Sequence, residues 1–119
     1  PEHLNWQQIR EMSDAGMDME SHTKDHVELD DRDYDSIVYQ VLGSIQSLEH
    51  YTEQQSDIFC YPVGRYDDNT LNVLRTLPVL AAVTTQPGAW QTTDRLLEMP
   101  RIRISHSTTL PAFANSLQP

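Results

Sequence analysis

At 119 residues the chain is long enough for one modest domain and too short for two. Asp and Glu number 18 against 8 Lys and Arg, a net charge of -10. That balance argues against nucleic acid, whose phosphates need clustered cations, and against an anionic membrane surface. A divalent metal, or a neutral or cationic ligand, fits it better. No apolar run approaches the roughly 20 residues of a membrane span, and the single cysteine, Cys60, excludes an internal disulfide. No signal peptide is evident. The sequence opens on Pro1-Glu-His-Leu, inside what already reads as structure, so it is expected to be cut from a longer protein, and its start says little about compartment.

The first predicted element is a helix with its caps in place. Leu4 can serve as hydrophobic staple, Asn5 as N-cap and Gln8 as capping-box partner, while Trp6, Ile9 and Met12 recur on one face and Trp6 is expected in the core. Gly16 is placed to end the helix in a left-handed turn. Met17–Ser21 alternates and predicts a first strand, followed by a polar, acidic loop through Asp33. A longer helix is predicted over about 35–54, capped by Asp33 or Asp35. Its apolar stripe is Tyr34, Ile37, Val38, Val41, Ile45 and Leu48.

Ile58–Tyr61 predicts a second, buried strand, and Pro62–Asp68 a turn-rich loop. A short helix follows on Leu71, Leu74 and Leu77, closed by Pro78. Val79–Thr84 predicts a third strand, 85–99 a long loop and Arg101–Ser105 a fourth strand. A last short helix lies near Pro111, with Leu110, Phe113 and Leu117. No repeat or low-complexity segment interrupts the chain. Strands separated by helices imply parallel pairing in an α/β arrangement, as one domain over 1–119. In such folds sites form at the C-terminal strand ends, where His22, His26, Tyr61 and Arg65 fall.

The run Glu20-Ser-His-Thr-Lys-Asp-His26 carries the clearest chemistry. Neutral imidazole is the commonest nitrogen ligand for zinc and related metals, and two rings four residues apart can reach one ion if the loop makes a helical turn. The bland alternative is a pair of exposed loop histidines. A catalytic metal generally has three protein ligands and an open position. Asp25, Glu28, Asp30 and Asp31 are near enough in sequence to supply a third, although solvated loop carboxylates are the commoner use of such residues.

Taken together, Trp6-Gln-Gln-Ile-Arg-Glu-Met-Ser-Asp-Ala-Gly16, Glu20-Ser-His-Thr-Lys-Asp-His26, Phe59-Cys-Tyr-Pro-Val-Gly64 and Pro100-Arg-Ile-Arg-Ile104 resemble the polysaccharide deacetylase family, carbohydrate esterase family four, the NodB homology domain. The resemblance runs in order over nearly the whole chain, and Ser-His-Thr-x-x-x-His is its most specific part. It implies a distorted (β/α) barrel and metal-assisted hydrolysis of acetyl groups from N- or O-acetylated carbohydrate. It also implies an extracellular or cell-envelope location for the bacterial parent.

By the resemblance, His22 and His26 are two ligands of a divalent metal, zinc in most members. The third ligand and the catalytic base come from an Asp-Asp motif that would lie N-terminal to Pro1. The backbone N–H of Val63 is the implied oxyanion donor. Three departures qualify the match: many members have Arg where this chain has Cys60, many have Tyr where it has Val63, and the family's late histidine usually ends an apolar strand, which here is Arg101-Ile-Arg-Ile104. His106 follows the Arg101–Ile104 strand and is the candidate acid, its alternative being an exposed histidine before the last helix.

Other candidates follow from residue type. Tyr61, Arg65 and Trp90 are candidates to contact sugar, by stacking or hydrogen bonding; Arg65 could equally be an ordinary loop residue, and packing over a barrel end is the commoner use of a ring such as Trp90. Cys60 reads as a small buried residue. Arg101 and Arg103 share one strand face and are expected to look into a polar site, because two like charges in a barrel core would be costly. Two functional readings result: part of a metal-dependent deacetylase, or a catalytically silent domain that binds carbohydrate or serves as a scaffold. A third expectation concerns assembly. Exposed sheet edges would invite a homodimer or a domain swap.

Overall fold

The computed structural model describes residues 3–118. Helix α1 (Trp6–Asp14) begins where its capping residues require. The Asn5 side chain accepts from the Gln8 N–H and the Gln8 side chain accepts from the Asn5 N–H, both at 2.9 Å. Two otherwise orphaned donors are thereby satisfied, a device that contributes about 1 kcal/mol. Gly16, at φ 95°, carries the chain out of the helix. Trp6 is not in the core. It is 39% exposed, and its ring stacks on Tyr51 of the next helix with centroids 4.1 Å apart.

Helix α2 (Tyr34–Thr52) is capped by Asp33, whose carboxylate accepts from the Ser36 N–H at 2.8 Å. Ile37, Val41 and Ile45 lie on its buried face, while Tyr34 turns outward. Three parallel strands form the sheet in the order β1 (Ile58–Cys60), β2 (Ala81–Pro87), β3 (Met99–Arg101). Helix α3 (Asp68–Leu74), held by an Asp67–Thr70 capping box, crosses from β1 to β2. A 3-10 segment, Thr93–Glu98, makes the crossover to β3, and α4 (Leu110–Ser116) follows. The core joins Ile37, Val41 and Ile45 to Phe59, Tyr61, Leu71, Leu74 and Ala82. Leu29 is fully buried in it and pins the acidic loop from below, an anchor that the loop's polar composition conceals.

The α/β class and the parallel pairing are as expected; several boundaries are not. Met17–Ser21 lies beside β1 but only Ser21 bridges it, opposite Phe59. Upstream, the backbone is satisfied by a side chain: Gln54 Oε1 accepts from Met19 N–H and Gln54 Nε2 donates to Met17 O. The strand expected over 79–84 starts at Ala81: Val79 N–H turns back onto Leu77 O, while Leu80 N–H already reaches across to Asp57 O, just before β1. The strand expected over 101–105 is Met99–Arg101 instead, with an irregular register against β2. Its central residue, Pro100, has no N–H to extend the ladder.

Candidate metal centre

His22 directly follows the Ser21 bridge, so the sheet itself sets where its imidazole starts. Its Nδ1 lies 2.7 Å from the carbonyl oxygen of Cys60, at the end of β1. A carbonyl can only accept, so Nδ1 carries the proton, and in the neutral ring Nε2 keeps its lone pair. This fixes the tautomer a metal ligand needs, with the orienting hydrogen bond that ligating histidines generally make. The His22 and His26 rings stand 4.9 Å apart between centroids at 68° to one another.

Two of the residues forming this loop have left-handed backbone: Thr23 at φ 66° and His26 at φ 53°. For non-glycine residues that conformation costs on the order of 1–2 kcal/mol each. It persists where surrounding structure dictates it, commonly at functional sites. Two hydroxyls at the same place, Ser21 Oγ and Thr23 Oγ1, are buried with no hydrogen-bond partner among the described residues. Buried polar atoms are rarely left so.

The two imidazoles stand without a third donor among the described residues. Among the described residues no three His, Cys, Asp or Glu side chains converge as a metal site. Of the loop carboxylates that could supply a third ligand, three are engaged elsewhere and Asp31 is not. Asp25 accepts from Gln40 Nε2 at 2.7 Å, and Asp30 pairs with Arg65 at 2.8 Å. Glu28 lies 3.7 Å from the same guanidinium. Asp31 contributes only its backbone N–H, to the Asp67 carboxylate. The Asp-Asp expectation falls outside the described residues.

The other candidates separate by environment. Val63 sits in the 3-10 turn Pro62–Gly64 immediately beyond β1, at φ 56° and 60% exposed. Left-handed backbone at a β-branched residue is an outlier that needs a cause. The turn points its side chain to solvent, and its N–H donates to no group among the described residues. Gly64 follows at φ 72°, where a Cβ would collide with the Thr85 side chain. Tyr61, expected at sugar, is instead core: 1% exposed, stacked on Tyr66, its hydroxyl donating to Leu97 O at 2.8 Å. Burial is the main reason its phenol is pushed well above the usual range.

Arg65 is exposed beside the Val63 turn, held by Asp30 and Glu28. Trp90 projects from the loop after β2, 71% exposed, rather than packing over the sheet. His106 is exposed in a turn closed by Thr108 N–H on Ser105 O, beyond the end of β3. Arg101 and Arg103 line a groove of about 400 Å³ with Thr85, and Arg101 Nε donates to Thr84 O at 2.8 Å. Cys60 is half-buried. Its useful atom is the carbonyl oxygen, which no reading of its thiol could have found.

The polysaccharide deacetylase family model matches residues 2–82, which includes both histidines and the Val63 turn. The chain belongs to the polysaccharide deacetylase family. YxkH of Bacillus subtilis (strain 168), which carries the polysaccharide deacetylase name, is 33% identical over 111 residues, covering 93% of this chain and 40% of that protein. The Streptococcus pyogenes deacetylase PplD, solved in complex with acetate, superposes at a TM-score of 0.92 with 29% identity, over 98% of this chain and 52% of PplD. BC0361, a polysaccharide deacetylase from Bacillus cereus, superposes at 0.88 with 33% identity, over 97% of this chain and 37% of its own. The chain thus spans about half or less of these deacetylases. Its sheet and helices are one part of the family's α/β barrel.

Proposed function

We propose that the chain supplies the histidine half of a divalent-metal site, zinc by preference, in a deacetylase that hydrolyses acetyl groups from N- or O-acetylated carbohydrate. The single observation that carries this reading is the hydrogen bond from His22 Nδ1 to Cys60 O, which leaves Nε2 as a donor beside His26. The unsatisfied Ser21 and Thr23 hydroxyls support it, since these residues flank His22 in the chain. When bound, the metal would polarise an acetyl carbonyl and acidify water toward neutrality.

The chain's own residues have distinct parts in this reading. His22 and His26 hold the metal. The Val63 N–H, which donates to no group among the described residues, steadies the charge that develops on the acetyl oxygen. His106 returns a proton to the departing sugar nitrogen or oxygen. Arg65 and Trp90 contact the polymer. The base and third ligand would come from another segment, since no third donor converges on the histidines among the described residues.

The test is zinc content after equilibration and dialysis of the 119-residue chain, with His22→Ala as control. Bound zinc in the wild type and none in the variant is expected; none in either would sink the reading. A second reading, a silent carbohydrate-binding or scaffold domain, is favoured by one observation: no complete ligand set exists among the described residues. Carbohydrate binding without zinc would decide for it.

A further inference from the structure

Gln40 lies on α2, sixteen residues from Lys24 in sequence, and is 7% exposed. Its side chain does not face the apolar core alone. Oε1 accepts from the backbone N–H groups of both Lys24 and Asp25, each at 3.1 Å. Nε2 donates to Asp25 Oδ2 at 2.7 Å. These are two of the three residues between His22 and His26. One amide thus holds the loop by three bonds.

The same helix seats the loop in two further ways. Lys24 Nζ lies 4.8 Å from the centre of the Tyr39 ring, a cation–π contact. Its aliphatic stem crosses Gly43, where a Cβ would fall 2.9 Å from Lys24 Cδ. The loop needs such restraint. Thr23 and His26 are both left-handed, and a strained loop relaxes unless its surroundings hold it.

Resting on the metal reading above, we infer that Gln40 is a positioning residue: its amide sets the separation of His22 and His26 and so tunes metal affinity without touching the ion. Partners that orient metal ligands typically change affinity about 10–100-fold when removed. A filler of the helix core would have no such effect.

The experiment measures zinc affinity of the 119-residue chain by competition with a chromophoric chelator, and melting temperature in parallel. Gln40→Glu keeps the acceptor for both N–H groups but sets a carboxylate against Asp25. Zinc affinity is expected to fall about 10–100-fold. The double variant D25N/Q40E reverses the polarity of that bond, because the introduced asparagine amide can donate to the new carboxylate, and is expected to recover most of the affinity. Equal affinity in wild type and Gln40→Glu, with His22→Ala losing zinc, overturns the inference and leaves the metal reading standing. Failure of the double variant to recover, with its melting temperature restored, also overturns it.

A metal-free arm keeps the two ideas separate. Amide exchange at Lys24 and Asp25, and the imidazole nitrogen shifts of His22 and His26, are read in wild type and Gln40→Glu. Faster exchange with shifted imidazole signals in the variant is expected. If the wild type binds no zinc, the metal reading falls, and Gln40 as the determinant of imidazole geometry is judged by this arm. Unchanged exchange and shifts overturn it.

Discussion

At the residue scale, the turn after β1 places two left-handed residues, Val63 and Gly64, side by side. Gly64 is left-handed and abuts Thr85, so Gly64→Ala meets both strain and overlap. A loss of about 2–4 kcal/mol in denaturant unfolding is expected. Tyr61 offers a milder contrast. Its ring is core, and its hydroxyl is satisfied by Leu97 O at 2.8 Å. Tyr61→Phe removes that bond and leaves the ring, so a cost of about 1 kcal/mol is expected. A much larger drop in carbohydrate binding than in stability would contradict the packing role.

Asp67 provides a pH signature at the same scale. Its carboxylate accepts from the Thr70 and Asp31 N–H groups, which holds its pKa below the usual carboxylate range. The folded pKa lies below the unfolded one. The bonds therefore stabilise fully above the unfolded pKa, and the contribution is lost as pH falls through the folded pKa. Asp67→Asn is expected to flatten the acid limb of the stability–pH curve below about pH 4. An acid limb identical to wild type in thermal melts would count against this.

At the element scale, helix ends were legible because their chemistry is local. Asn5 and Gln8 bond to each other's N–H groups three residues apart, so the sequence alone places the start of α1. Asn5→Ala is expected to cost about 1 kcal/mol, read as a lower midpoint in urea. Strand ends were less legible because the partner decides them. Met17–Ser21 has a strand's alternation, yet Gln54 takes the hydrogen bonds that a neighbouring strand would supply. Met99–Arg101 pairs where Arg101–Ser105 alternates, since pairing with β2 outweighs the pattern.

At the scale of the whole molecule, many large apolar side chains remain at the surface, among them Leu80, Trp90 and Leu110. No helix among the described residues is long and apolar enough to cross a membrane. We propose that the isolated chain self-associates through such surfaces or its sheet edges. Light scattering is expected to give a mass above the 13.7 kDa monomer that rises with concentration. A constant monomer mass would refute it. The chain alone is expected to release little acetate from an acetylated chito-oligosaccharide, because no third donor joins the two histidines among the described residues. Robust release would overturn that expectation.

The sequence by itself determined the α/β order, the helix caps and the histidine pair, because periodicity, capping and ligand spacing act within a few residues. Only the tertiary structure decided what those histidines can do. The carbonyl of Cys60, 38 residues from His22, fixes the ring's tautomer, and Gln40 brackets the loop from another helix. Both act through atoms whose role depends on where the chain folds back. A backbone oxygen carries no residue identity, and a glutamine amid an apolar stripe gives no sign of which amides it will meet. The same reason moved Tyr61 from site to core: its phenol finds Leu97 O only once the crossover to β3 lies over it.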